Sequence, residues 1–407
     1  MKLKGINNYL KRTLKSAIMV DSIVITVLTF VISAFIIENL SGLFSVDPTE
    51  QSADVLMSDI YYSVAKRRSV DDLNSDIVLV GVDDCSRGEI AALIDAVNYA
   101  EAKVIGVDVL FEVVGNNQDD ANLIEAINGC DNIVMPVRLE YNSTDSTFSL
   151  PSIPSIYSAL QGVEYGVVNL PSNKSSLIRY FKPFFKSNII ELNSFAAAIT
   201  QCFDSVHYNK LVERNNELED INYMGAEFEV FDAYEIIDEN LYPRPQIESF
   251  LKDKIVLIGD LNNSYDMHIT PMGDYIPGII IHAKIVDTVL GDNYIESSSN
   301  LFNIWISIIF CFAFAYINLK SKLSEKWNNI EGLLIRVLQM GLVYLFMVIG
   351  CYWFINRALL INFSQVLVMI CNSALITDIW LGVKELYAKR DLCSKAYVKF
   401  KSIIKRK

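Results

Sequence analysis

Four apolar stretches, each long enough to cross a bilayer, constrain this chain more than anything else in its sequence. They cover Ser16–Ile37, Leu301–Leu319, Leu333–Ile355 and Leu359–Leu381. A helix rising about 1.5 Å per residue needs roughly 20 apolar residues to span the hydrocarbon core, and each stretch meets that length. The spacing predicts transmembrane helices over 16–37, 301–319, 333–355 and 359–381. Charge sets the expected orientation. The tail 1–15 carries five basic residues and no acid, and the stretch Lys384–Lys407 carries nine basic residues against Glu385 and Asp391. Residues 38–300 hold 16 Lys+Arg against 42 Asp+Glu, a net of −26. The positive-inside bias therefore predicts basic cytoplasmic tails at 1–15 and 382–407, with 38–300 outside the membrane. A cleaved signal peptide would also begin with a basic segment. The first stretch is long for one, however, and no small-x-small site follows it, so an uncleaved anchor is the expectation.

The remaining composition excludes several classes. Hydrophobic residues make up 52% and charged residues 20%, with no low-complexity tract, so the chain has ample surface to bury and is not disordered. A net charge of −13 argues against a nucleic-acid partner. The seven cysteines form no C-x-x-C pair and no Cys/His set, which excludes a zinc ribbon or a disulfide scaffold. Cys85, Cys130 and Cys202, the three in 38–300, allow at most one disulfide, and burial as small apolar groups is the plainer role.

After a polar linker, Ser41–Ser52, the segment 38–300 reads as α/β. Ile77–Val82 is a continuous apolar run, as in a strand buried on both faces. Ser86-Arg87-Gly88-Glu89 fits a capping box, followed by Ile90, Leu93, Ile94 and Val97 on one helical face. Val104–Val109 is a second run, so the unit is strand–helix–strand with parallel strands. A helix over Asp120–Ile127 and a strand over Ile133–Leu139 follow. The middle is less regular: Leu192–Phe203 reads as a short helix and Glu213–Asp220 as a solvated acidic segment. Lys254–Asp260 then repeats the form of Ile77–Asp83, and a helix from about Ile281 to Leu290 is stopped by Gly291.

Open α/β sheets place ligands at the carboxyl ends of their strands. Here those ends carry Asp83 and Asp84, Asp108, and Asp260. The competing role for each is a helix cap or a turn. Asp266, His268 and His282 follow closely. Imidazole with carboxylate can bind a divalent metal or titrate near neutral pH, and a local hydrogen bond is the plainer role of each histidine. Arg179 can meet an anionic ligand, but in so acidic a segment an internal ion pair is the expectation. No H-E-x-x-H, nucleophile elbow, dinucleotide fingerprint or P-loop is present.

These residues, in order, resemble a known family: the second type of CHASE domain, an extracellular sensory domain associated with cyclases and histidine kinases. The resemblance rests on Val82-Asp83-Asp84, on Ile105-Gly106-Val107-Asp108-Val109-Leu110-Phe111, and on Tyr165-Gly166-Val167-Val168-Asn169 followed by Ile178-Arg179. It continues through Lys254–Asp260, Asp266-Met267-His268-Ile269-Thr270-Pro271 and Pro277-Gly278-Ile279-Ile280-Ile281-His282-Ala283. It covers most of 54–295, adds Asn169 to the candidate ligand-binding residues, and lacks the Trp-Pro element expected after Asp-Asp. The layout of one span, the sensor and three spans is similar to the family's usual one. The resemblance implies an extracytoplasmic sensor with no catalytic set and no cofactor. Such sensors typically feed a cyclase, kinase or diguanylate-cyclase module, whereas only Leu381–Lys407 follows the last span here.

Taken together, the sequence predicts an α/β extracytoplasmic sensor between one N-terminal and three C-terminal transmembrane helices of a bacterial cytoplasmic membrane. The expected partners are membrane lipid, an unidentified extracytoplasmic ligand and a separate cytoplasmic signalling protein, and a homodimer is compatible. Two other readings stay open: a membrane anchor that senses nothing, and an extracytoplasmic metal-dependent enzyme using the Asp/His residues. Within the spans, Asp21, Arg336 and Asp378 reach a similar depth, which predicts that Arg336 pairs with Asp21 or Asp378.

Overall fold

The computed structural model describes residues 16–35, 57–66, 73–111, 117–142, 147–149, 157–171, 177–186, 191–262, 266–322, 328–361 and 363–404. The tail 1–15 and the linker Ser41–Ser52 expected from the sequence lie outside the described residues. The chain divides into two compact units, Gln51–Glu296 and a second that joins Met1–Glu50 to Ser297–Lys407.

The unit Gln51–Glu296 is built on a six-stranded sheet. Its strands are β1 (Leu73–Gly81), β2 (Val104–Asp108), β3 (Ile133–Val137), β4 (Glu164–Val167), β5 (Glu227–Asp232) and β6 (Ile255–Gly259). The order is β5-β1-β6-β2-β3-β4 and every pairing is parallel. The parallel relation of β1 and β2 follows from the sequence, but β6 is inserted between them. Its buried apolar run, with neither face open to water, suits that central place.

Helices α1 (Met57–Ala65), α2 (Arg87–Tyr99), α3 (Asn117–Asn128), α4 (Phe195–Phe203), α5 (Ser205–Arg214), α6 (Ala233–Ile237), α7 (Arg244–Leu251) and α8 (Gly278–Leu290) complete the unit. Strand residues alternate between two cores. Val78, Val80, Ile105, Val107, Val256 and Ile258 pack with α2, α3, α6 and α7, while α4 and α8 pack on the other face. Each of Ile90, Leu93, Ile94 and Val97 of α2 is buried, which stabilises the unit by roughly 1.5–3 kcal/mol per side chain. The Ser86 capping box forms, with Ser86 N–H donating to Glu89 at 2.7 Å. Gly166 of β4 is needed because α4 lies directly on it: a Cβ there would come within 2.5 Å of the Phe195 Cα.

Three local expectations change. Glu191–Asn193 is a short strand, and Ser194 caps α4, its Oγ accepting from the Ala197 N–H. The strand read as Ile133–Leu139 stops at Val137. The acidic segment Glu213–Asp220 is not simply solvated. Glu219 is buried and accepts from Arg214 Nε at 2.6 Å and Asn216 at 2.9 Å, so the cation in the last turn of α5 draws it inward.

The second unit contains four long helices: Ser16–Phe35, Asn300–Lys322, Asn328–Arg357 and Ser364–Ile404. All four carry segments long and apolar enough to cross a membrane. Leu359–Leu360 is a short strand instead of the start of the fourth span, because Ala358 adopts a left-handed backbone (φ 48°) that ends the third helix. The fourth helix then runs without a break from Ser364 to Ile404. Asp21 accepts both contacts from Lys384 Nζ, at 2.5 Å, and not from Arg336. Asp378 pairs with Lys322 and, at 4.0 Å, with Arg336, as expected, and Arg336 also donates to Gln339 Oε1 at 3.1 Å. Lys384 thus takes Asp21, while Asp378 is shared between Lys322 and Arg336.

Candidate functional site

The ladder aligns Gly81 with Gly259 and Gly259 with Asp108, so the carboxyl ends of β1, β6 and β2 form one edge. Asp83 and Asp84 follow β1, Asp260 follows β6 and Asp108 ends β2, which brings the strand-end carboxylates to the same side of the sheet. They separate there into two groups.

In the first group, Asp83 accepts from the N–H groups of Leu261 (2.7 Å) and Asn262 (2.8 Å) and from the Asn262 side chain (2.7 Å). It also shares a hydrogen bond with Asp260. Burial pushes the Asp83 carboxyl upward, but the bonds from Asp260, Asn262 and Leu261 outweigh it and hold the group below its ordinary range. Asp83 thereby fastens the loop after β6 to the end of β1. Asp260 accepts from the Asn262 N–H at 3.2 Å, and Asp84 lies exposed beside the turn.

The second group is more buried. Asp108 has 11% of its side chain exposed and His282 4%, with His282 Nε2 at 4.0 Å from Asp108 Oδ2. Burial pushes the Asp108 carboxyl up to about 7, assisted by the charge of Asp266 and opposed by His268 and Arg138. Burial pushes the His282 imidazole down to about 4, against the pull of Asp266. At neutral pH, therefore, the carboxyl still holds its proton about half the time, beside an uncharged imidazole. His282 sits one turn into α8 with its ring edge-on to Phe195 (5.2 Å between centroids), and its Nδ1 makes no hydrogen bond. Asp266 lies at the start of the same helix, accepting from the Gly278 N–H at 3.2 Å and contacting His268 Nε2 at 3.2 Å. A Cβ at 278 would meet the Asp266 carboxylate at 2.6 Å, so a larger residue there would push that carboxylate off the helix N-terminus. An acid over a helix N-terminus is favoured by the helix dipole.

Two sequence candidates are committed elsewhere. Asn169 pairs both ways with the backbone of Leu139, accepting at 2.6 Å and donating at 2.9 Å, so it extends the β3–β4 ladder. Arg179 is buried and binds Asp59 of α1 through both guanidinium nitrogens, Nη2–Oδ2 being 2.7 Å. It is an internal ion pair and stands outside both groups.

Sequence reasoning missed Asn262 and Arg138. Arg138 directly follows β3, as Asp83 nearly follows β1, so the strand-end rule could have found it. Asn262 carries no signal of its own, because its role depends on β6 lying beside β1. A groove of about 350 Å³ lined by Ala92, Ala96, Tyr99, Ile236, Arg244 and Ile247 belongs to α2, α6 and α7 and holds none of the candidates. Among the described residues, no group of three or more His, Cys, Asp or Glu is arranged to hold a metal ion. Cys85, Cys130 and Cys202 are free thiols.

The CHASE2 domain family matches residues 28–318. The chain belongs to that family. No curated protein and no solved structure matches it. The CHASE2 domain is an extracellular sensory domain and not a catalytic one, and together with four candidate membrane helices it fits a membrane sensory receptor. The match begins inside the first span and ends inside the second, bracketing the α/β unit that carries both carboxylate groups.

Proposed function

We propose that this protein is a multi-pass receptor of the bacterial cytoplasmic membrane that binds an extracytoplasmic ligand at the carboxyl edge of its CHASE2 sheet. Residues 38–300 lie outside, residues 1–15 and 382–407 lie in the cytoplasm, and the change is passed to a separate cytoplasmic signalling protein. The basic segments flanking the first and last spans support the orientation. The observation that carries the reading is the group Asp108, Asp266, His268 and His282. It joins two strand-end and helix-start elements at the sheet edge where open α/β folds hold ligands, and it keeps a buried acid and imidazole without a mutual hydrogen bond. Such a pair has hydrogen-bonding capacity left for an incoming polar group.

The test has two arms. Protease added to intact spheroplasts digests the sensor and spares a C-terminal tag; digestion of the tag from outside overturns the orientation. Thermal unfolding of the full-length protein in nanodiscs, against calcium, magnesium, zinc and a panel of amines and amino acids, finds a stabilising ligand. The shift disappears in D108N and H268Q and persists in E239Q. A shift that survives both D108N and H268Q moves binding away from this edge.

A further inference from the structure

The fourth long helix continues beyond the point where its own chain covers it. Within the span, Ser373 and Thr377 are fully buried and Ile376 is nearly so. Further on, Lys384 turns toward Asp21 and lies 5.5 Å from the Trp380 ring centroid, so this side of the helix faces its own bundle. Every residue from Gly382 to Arg390 is exposed, and an apolar stripe that begins within the span runs into this stretch: Ile379 is 52% exposed, Val383 38% and Leu386 69%. The stripe continues in the sequence at Arg390, Cys393, Tyr397, Phe400 and Ile404, all within the helix Ser364–Ile404. The steps alternate strictly between four and three residues, and every position but Arg390 is apolar or aromatic.

A strict 3.5-residue repeat is not the stripe of a helix lying on a flat surface. A straight helix of 3.6 residues per turn drifts off such a stripe by about 20° per heptad, so the repeat stays in one seam only when two helices supercoil. We propose that two copies of this chain pair through a parallel coiled coil formed by the helix Ser364–Ile404 from Ile379 onward. The membrane supplies the parallel alignment, since every copy inserted the same way sends this helix out of the bilayer in the same direction. The inference therefore does not depend on which side of the membrane that is, nor on the ligand site. With Ile379, Leu386, Cys393 and Phe400 at d, the seam has Val383, Arg390, Tyr397 and Ile404 at a. The pairs that flank a parallel seam are Gly382 with Tyr387, Lys389 with Ser394 and Ala396 with Lys401, each between copies. None sets like charges against each other, although the segment is strongly basic. The single charged a position, Arg390, costs stability and favours one register, as polar a residues do.

Cys393 falls at d, where the two copies of a parallel coil approach closely, and this gives the test. Membranes containing the full-length protein are oxidised with copper phenanthroline. A disulfide-linked dimer is expected in C371S and lost in C371S/C393S. In that double background L386C or F400C restores it, and K395C or S402C does not. A dimer persisting in C371S/C393S, equal crosslinking at seam and outer positions, or no dimer in C371S overturns the proposal. Crosslinking at Cys393 needs no destabilising change, so a misfolded variant cannot imitate the negative result.

Discussion

Replacing Asp108 with Asn separates two opposed proton equilibria. The Asp108 carboxyl stands near 7 in the folded protein against an ordinary value of 3.8. Between those values the folded state holds a proton that the unfolded chain has released, so this group makes stability fall as pH rises, at about 1.4 kcal/mol per pH unit. His282 stands near 4 against 6.5. Between those values the unfolded chain holds the proton, so stability rises with pH at the same slope. From about pH 4 to pH 6.5 the two slopes cancel, and folding amounts to moving a proton from imidazole to carboxyl. D108N removes the falling slope and leaves the rising one. Relative to the parent, the variant should gain about 1.4 kcal/mol for each unit of pH from 4.5 to 6.5, which is about 3–5 °C in Tm for a unit of this size. H282Q should do the reverse, losing stability relative to the parent as pH rises over the same range. The assay is thermal unfolding of full-length protein in nanodiscs at half-unit pH steps, read as the difference between variant and parent so that all other titrations cancel. A D108N difference curve flat across this range would mean that the folded-state carboxyl ionises like an exposed one, and the burial argument would fail.

Three further outcomes follow from contacts already described. R179A leaves Asp59 without its bidentate partner at a buried site, so chemical denaturation should show a loss of about 3–5 kcal/mol, partly recovered in R179A/D59A; an unchanged midpoint refutes the pair. G166A drives a methyl group against the α4 backbone and should cost about 1–3 kcal/mol or prevent folding, as judged by Tm and expression. In the span unit, D21N and K384M should show a coupling energy of about 1 kcal/mol in a double-mutant cycle of detergent stability. Strict additivity means that the contact carries no energy.

The parts of the fold legible in the sequence are those written in local pattern. Ser86 and Glu89 announce the start of α2, and unbroken apolar runs announce β1, β2 and β6, because a strand covered on both faces has no polar position to spare. Sheet order was not legible: Ile255–Gly259 pairs with β1 and β2 across more than a hundred residues, and no local signal encodes that insertion. The same limit applies to the site. Asp83 and Asp108 look alike as strand-end aspartates. Yet one is a loop fastener beside water and the other a buried acid, because only Asp108 is covered by α8 and the segment around Asp266. Within the spans, depth along each helix was legible for Asp21, Arg336 and Asp378, but rotation about the helix axis was not. Rotation is what gives Lys384 to Asp21 and brings Lys322 to Asp378 beside Arg336.

The hairpin that carries His268 also bears on how a site at the sheet edge connects to the start of the sensor. Met267–Ile269 pairs with Tyr275–Pro277, so the strand carrying His268 is held along its length by its partner. On its other side, Ile269 accepts from the Ile178 N–H at 2.9 Å and bridges Leu177. The next residue is Arg179, whose guanidinium is locked to Asp59 of α1, and the hairpin's own Asp274 pairs with Lys66 just past the end of α1. Tyr62 of α1 donates to the Ile221 carbonyl at 2.9 Å, and the Ile221 N–H in turn donates to the Arg179 carbonyl. Contiguity alone is not coupling, but it restricts what a displaced hairpin can do. Either the Ile178–Ile269 hydrogen bond and the Lys66–Asp274 pair break together, or α1 moves with the hairpin. The second course keeps that backbone hydrogen bond and that exposed ion pair intact, and the Arg179–Asp59 pair carries α1 along with it, so it is the cheaper one.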